Sequence, residues 1–318
     1  MTAPDGNTTS RSRPLFIPCL AGPTGAGKTA AALALARHWD ISVINADSRQ
    51  VYRDFPIITA QPTAGEQAAC PHLLYGYLET ERKLGAGAYA RQAASAMDDC
   101  VTHNRLPLLV GGTGLYFRAF LEGIAPIPDI PAETAMHWQQ RLGKEGSHAL
   151  HGLLAESDPS YAAKIHPNDR QRICRALEVL DATGKPLSWW HDRTPSPDRY
   201  RPCKIGIALE LSELEPLLRR RIDLMLEYGA IEEAKQAMEY CSDPKAPGWS
   251  GIGCAEIFRH ITGELSLDAC RELWLKNTRA YAKRQLTWFR ADKEIRWFRP
   301  EQTEEIVSYV ELAWKARI

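Results

Sequence analysis

The residues with the clearest chemistry lie near the start of the chain. Gly22-Pro23-Thr24-Gly25-Ala26-Gly27-Lys28-Thr29 fits the spacing G-x-x-x-x-G-K-[ST] in full. Glycines at these intervals let successive backbone N–H groups turn inward around phosphate oxygens, and the helix that follows adds partial positive charge at its start. Lys28 is placed to reach terminal phosphate oxygens, and the Thr29 hydroxyl to ligate Mg²⁺. The motif specifies a polyphosphate but not which one.

A phosphate-loop ATPase places an Asp at the end of a later apolar strand to organise Mg²⁺ and water. The candidate strand here, Leu106 to Val110, runs instead into Gly111-Gly112-Thr113-Gly114, offering backbone N–H groups and a hydroxyl but no carboxylate. An acid occurs at Asp47, directly after the apolar run Ile41 to Ala46. Parallel sheets gather ligands outside the carboxyl ends of their strands, so Asp47 shares a rim with the phosphate loop and suits a general base or substrate anchor. The plainer reading is that Asp47-Ser48 caps a helix.

The elements that must hold these residues follow from periodicity. Pro14 to Ala21 reads as a buried strand, Thr29 to Trp39 as a helix, Ile41 to Ala46 as a second strand and Ala88 to Cys100 as another helix. Strands alternating with helices imply an α/β fold with a parallel sheet covered on both faces. Three prolines between Ile124 and Pro131 mark a linker. The next stretch is helical to about Arg193, Thr194 to Pro202 is again Pro-rich, and Lys204 to Leu211 reads as a further strand. The expected organisation is a polar, disordered leader over 1–13 and a phosphate-loop core over 14–125. An all-helical insertion follows over 126–201, then a core continuation with C-terminal helices over 202–318.

Composition bounds the function. At 318 residues, 44% hydrophobic and 25% charged, the chain suits a main domain with a smaller unit. No apolar run is long enough to span a bilayer. Eight cysteines without a C-x-x-C pair argue against a disulfide framework or zinc site and fit a reducing cytoplasm. Basic and acidic residues balance at 39 each, yet Arg271 to Arg299 is locally basic, with Lys276, Arg279, Lys283 and Arg290 on one helical face. Trp274, Tyr281 and Trp288 recur every seven residues beside them and read as core packing. A second basic cluster comprises Lys164, His166, Arg170, Arg172 and Arg175, with Asn168 or Asp169 capping a helix. Two positive clusters on separate lobes suggest that an RNA arm is held by both.

Six blocks together resemble the bacterial-type tRNA dimethylallyltransferase (tRNA isopentenyltransferase) family. They are G-P-T-G-A-G-K-T at Gly22, N-A-D-S-R-Q-V-Y-R at Asn45, P-L-L-V-G-G-T-G-L-Y-F-R-A at Pro107, I-H-P-N-D-R-Q-R-I-C-R-A-L-E-V at Ile165, G-I-G-C-A-E at Gly251 and A-K-R-Q-L-T-W-F-R at Ala282. The resemblance implies that the loop holds the diphosphate of dimethylallyl diphosphate with Mg²⁺. It also implies that Asp47 is the base facing an adenine N6, that Thr113 lies beside the reacting centre and that Lys28 assists the leaving group. By the same resemblance, tRNA is touched at Asp47, Ser48, Arg49, Gln50 and Thr113, at Gln171, Arg172, Ile173, Cys174 and Arg175, and at Ser250, Gly251, Ile252, Gly253, Cys254 and Ala255. The last implied block is Lys283, Arg284, Gln285, Leu286, Thr287, Trp288, Phe289 and Arg290. The implied target is the adenine 3′ of the anticodon (position 37) in the anticodon stem-loop of tRNAs reading U-starting codons, and the implied protein is a cytoplasmic monomer. Three departures stand out: Gln61 replaces a lysine, Cys254 an aromatic and Ala135 an arginine.

Other readings remain open. A small-molecule or nucleotide kinase explains the loop and Asp47, but not the glycine end of Leu106 to Val110. A nucleic-acid-stimulated NTPase lacks its second acid, and an RNA-binding module leaves the loop without purpose.

Overall fold

The computed structural model describes residues 14–195 and 198–316; the leader expected over 1–13 lies outside the described residues. Six parallel strands form one sheet: β1 (Leu15–Ala21), β2 (Ile41–Asn45), β3 (His72–Leu73), β4 (Leu106–Gly111), β5 (Tyr200–Ile207) and β6 (Arg296–Phe298). Their order is β3-β2-β4-β1-β5-β6, so the two strands feeding the glycine loops, β1 and β4, are neighbours. Alternation along β1 shows why both faces are covered. Phe16 and Leu20 pack with α1 (Lys28–Ala36) and with Ile306 and Val310 of the C-terminal helix. Ile17, Cys19 and Ala21 pack on the other face with α3 (Ala86–Thr102) and α4 (Gly114–Leu121). The short α2 (Ala64–Ala69) begins in a capping box, Thr63 with Glu66.

Residues 122–197 form a separate compact unit. It contains α5 (Ala132–Ser157), α6 (Pro159–Ala162), α7 (Arg170–Thr183) and α8 (Leu187–His191) around Leu150, Leu154, Ile173 and Leu177. Asp169 caps α7 by accepting from the Arg172 N–H at 3.1 Å.

The chain then returns to the sheet and adds α9 (Leu211–Glu227), α10 (Ala230–Tyr240), α11 (Cys254–Ile261), α12 (Leu267–Arg290) and α13 (Thr303–Lys315). The helices α9 to α12 build their own core around Leu214, Leu218, Ile222, Trp249, Ile257 and Trp274. The strand expected over Lys204 to Leu211 runs from Tyr200 to Ile207. Pro202 hid its start, because a proline removes a ladder donor. Here β6 pairs only with Ile205–Ile207, so at Pro202 the outer side of β5 is an edge and the missing N–H costs nothing. Strands β3 and β6, two and three residues long, fall below any readable period.

Candidate active site

The glycine loop after β1 closes over the start of α1. Gly22 has φ 151°, and a Cβ there would overlap the Ile207 carbonyl at the end of β5, so only glycine passes. Lys28 folds back across the loop and donates to the Gly22 carbonyl at 2.9 Å and the Pro23 carbonyl at 2.7 Å. An ammonium has three donors, so one remains for an anion in the loop. Burial lowers its pKa to about 8, against Asp47, which raises it.

Facing the loop is the turn that follows β2. Asn45, fully buried, clamps Asp47 from both sides: its Nδ2 donates to the Asp47 carbonyl at 3.0 Å and its Oδ1 accepts from the Asp47 N–H at 2.8 Å. The Asp47 Oδ1 accepts from the Arg49 N–H at 2.8 Å, an Asx turn, and no helix follows it. The capping alternative is therefore met by a turn that engages one carboxylate oxygen. Among the described residues the other oxygen has no hydrogen-bond partner.

Thr113, just beyond β4, completes this wall. Its N–H donates to the Ala46 carbonyl at 3.1 Å, and its hydroxyl accepts from the Ser48 N–H at 2.9 Å. Tyr281 of α12 lines the cavity nearby, and burial and the charge of Asp47 push its phenol up to about 12.

A cavity of about 240 Å³ opens between these walls. Thr24, Asp47, Arg49, Arg221, Ser250 and Arg284 supply its polar lining, and Ile58, Leu218, Ile222, Met225, Ile252 and Trp274 its apolar lining. Arg221, from α9, is the functional candidate that sequence reasoning missed. Its Nη1 donates to the Thr24 hydroxyl at 3.5 Å, and its desolvated guanidinium is held below its ordinary pKa by burial, with Asp47 opposing. The signal existed: Leu218, Ile222 and Met225 form the buried stripe of α9, and Arg221 interrupts it at helical spacing.

The remaining sites divide by exposure. Arg49 donates from Nη1 to the Pro247 carbonyl (3.1 Å) and Ser250 Oγ (3.0 Å), tying the Asp47 turn to the segment before α11. Gln50 is committed to the Thr59 and Ala60 carbonyls. In the later blocks, Gly251, Gly253, Cys254, Gln285, Leu286 and Phe289 turn inward, as do Ile173 and Cys174 in the 122–197 unit. Helical periodicity forces this, since a contiguous block cannot face one way. Ser250, Lys283, Arg284, Thr287, Trp288 and Arg290 are exposed, with Ile252 and Ala255 partly so; Gln171, Arg172 and Arg175 are exposed on α7.

The aromatic stripe of α12 corrects the core-packing expectation at two of three positions. Trp274 is buried, Tyr281 lines the cavity, and Trp288 is 38% exposed with the Arg118 guanidinium 5.1 Å from its ring centre. Part of the basic face is also spent on α9 and the residue before it, with Arg279 pairing to Glu215 at 3.0 Å and Arg290 to Glu210 at 3.6 Å. Of the departures, Gln61 turns into its own loop and donates to the Tyr52 carbonyl at 2.7 Å, Cys254 is buried at the start of α11, and Ala135 lies on α5.

Among the described residues no three His, Cys, Asp or Glu side chains gather as a metal-holding group, and Thr29 stands exposed in the first turn of α1. All eight cysteines are free and buried, and no described helix is long and apolar enough to cross a membrane.

Loop, sheet order and cavity define a phosphate-loop α/β protein whose anion cradle faces an acid across a half-apolar pocket. Comparison with known proteins narrows this. Residues 50–292 match the IPP transferase family. The chain is 59% identical over 288 residues to the tRNA dimethylallyltransferase of Nitratidesulfovibrio vulgaris strain DP4, covering 91% of this chain and 93% of that one. It is 57% identical to that of Oleidesulfovibrio alaskensis, over 88% and 92% of the two chains. Among solved structures, the full-length tRNA isopentenylpyrophosphate transferase of Bacillus halodurans superposes with a TM-score of 0.71 at 31% identity, covering 96% and 98%. A eukaryotic dimethylallyltransferase acting on tRNA gives 0.72 at 29% identity, covering 86% and 70%. The chain belongs to the IPP transferase family.

Proposed function

We propose that this protein transfers a dimethylallyl group from dimethylallyl diphosphate to N6 of the adenine 3′ of the anticodon (position 37) in tRNAs reading U-starting codons, releasing diphosphate. The observation that carries this reading is the cavity itself: its lining divides between charged groups, Asp47, Arg49 and Arg221 beside Thr24 of the phosphate loop, and hydrocarbon from Leu218, Ile222, Met225 and Ile252. A donor with an anionic head and a short apolar tail matches that division. A nucleotide would bring a polar base and sugar to an apolar wall.

In the reaction the allylic carbon–oxygen bond breaks, and its electron pair leaves on the diphosphate. The N6 lone pair forms the new carbon–nitrogen bond, and one N6 proton passes to Asp47. Negative charge grows on the leaving group, where the loop N–H groups, the third proton of Lys28 and the Arg221 guanidinium can meet it. The free carboxylate oxygen of Asp47 is the acceptor for the N6 proton, which offsets the weak nucleophilicity of an amine conjugated with its ring. Thr113 holds the turn carrying that acid through its two bonds to Ser48. The adenine must leave its stack to reach this pocket.

Mg²⁺ takes few protein ligands when phosphates and waters complete its shell. The single Thr29 hydroxyl fits an ion that enters with the diphosphate rather than one held by a protein cage. When bound, the ion supplies charge to the departing oxygens. The exposed Lys283, Arg284, Thr287 and Trp288 of α12 and Gln171, Arg172 and Arg175 of α7 are candidates for the anticodon stem-loop. The protein works as a cytoplasmic monomer in this reading.

The test is to incubate purified protein with unmodified tRNA and labelled dimethylallyl diphosphate without ATP. Label enters the RNA, and Asp47→Ala lowers the rate at least about a hundredfold with the fold intact. A protein that hydrolyses ATP and leaves RNA unlabelled is a kinase or NTPase, and the reading fails.

A further inference from the structure

The ladder between β1 and β4 ends at the register Ala21↔Gly111. Beyond it the two chains separate: one enters the phosphate loop and α1 against one face of the sheet, the other reaches Thr113 and α4 against the opposite face. The donor cradle and the acid-bearing wall thus diverge where their spacing matters most. Gln285 of α12 spans this gap. Its Oε1 accepts from the Thr24 N–H at 3.0 Å, and its Nε2 donates to the Gly112 carbonyl at 2.8 Å. The side chain is 4% exposed, and a Cβ on Gly112 would overlap its Nε2. An amide is the side-chain head that offers a neutral acceptor and donor on one plane, and here it serves as a rung after the backbone ladder has stopped.

We propose that Gln285 is a positioning residue that sets the distance between the phosphate loop and the Thr113 turn, and so between the allylic carbon and the attacking amine. This rests on the function proposed above. Transfer needs the reacting atoms about 3–3.5 Å apart, and a misplacement near 1 Å costs on the order of a hundredfold.

Gln285→Met keeps the length and removes both bonds. The expected result is a fall in kcat of about 30- to 100-fold. The donor KM and tRNA affinity change less than about threefold, because each substrate keeps its own contacts. A merely structural role would instead lower Tm and damage all three together. Gly112→Ala displaces the amide without altering it and should reproduce the kcat loss, and Gln285→Asn, one methylene short, should not rescue it. Because Gln285 acts through Gly112 on Thr113, the losses from Gln285→Met and Thr113→Ala combine to less than their product. Wild-type kcat within threefold in Gln285→Met, or losses that multiply independently, overturn the proposal while the transferase reading stands. A wild-type protein that labels no RNA ends both.

Discussion

Ser48 and Thr113, carried by different strands, are locked by two hydrogen bonds: the Ser48 N–H donates to Thr113 Oγ1 at 2.9 Å, and that hydroxyl donates to Ser48 Oγ at 3.2 Å. The pair fastens the Asp47 turn to the end of β4, adding to the Asx bond that the Asp47 side chain makes with the Arg49 N–H. Thr113→Val should leave the Ser48 N–H without this acceptor and reduce kcat about 10- to 100-fold, whereas Thr113→Ser should retain most activity. Single-turnover rates on saturated complexes check this, and equal losses in both variants would contradict it.

Arg221 contributes a desolvated charge where the diphosphate would lie. Charge-assisted hydrogen bonds are worth about 1.5–3 kcal/mol, so Arg221→Gln should raise the donor KM roughly 10- to 100-fold. The exposed neighbour Arg220 is the control: Arg220→Gln should change it less than about twofold. Steady-state kinetics with the donor varied separates the two.

Lys28 titrates within an accessible range. Burial brings it to about 8 in the free protein, and the diphosphate requires its charged form. Donor affinity is therefore level at lower pH and falls about tenfold per unit above about 8. Lys28→Arg removes this inflection, since guanidinium stays charged. Donor KM measured from pH 6.5 to 9.5 tests it, and a flat profile would refute the assignment.

Glu233 of α10 is a buried carboxyl accepting from the Ile57 N–H at 2.6 Å and the Ile58 N–H at 2.9 Å, behind the cavity wall. Burial pushes it up to about 7, against those two donors. The folded protein holds this proton more tightly than the unfolded chain, so its stabilising contribution is full below the ordinary carboxyl range and is lost as pH rises through about 7. Tm should fall between pH 5 and 8, and Glu233→Gln should flatten that slope in thermal melts.

What the sequence disclosed was local. The loop Gly22 to Thr29 and the acid at Asp47 follow directly from short motifs beside apolar strands, and the parallel sheet follows from their alternation with helices. What it concealed depends on how distant helices rotate. Among Arg219-Arg220-Arg221 the only local mark is that Arg221 falls on the stripe of Leu218, Ile222 and Met225, and packing sends Arg219 to Glu272 and Arg221 to the cavity. Likewise the resemblance of its block implies a tRNA contact at Gln285, while the turn of α12 buries it. The short β3 and β6 exist only because neighbouring strands accept them.

The two-sided character of α12 has an evolutionary corollary. Tyr281 lines the cavity and Gln285 is buried between the two glycine loops, while Lys283 and Thr287 look outward. Each residue advances an α-helix by roughly 100°. Inserting or deleting one position between them would swap the roles of everything downstream, whereas exchanging an outward side chain disturbs only one surface. Relatives should therefore drift in identity along this helix while its length stays frozen, and outward side chains can be exchanged there without reopening the interior.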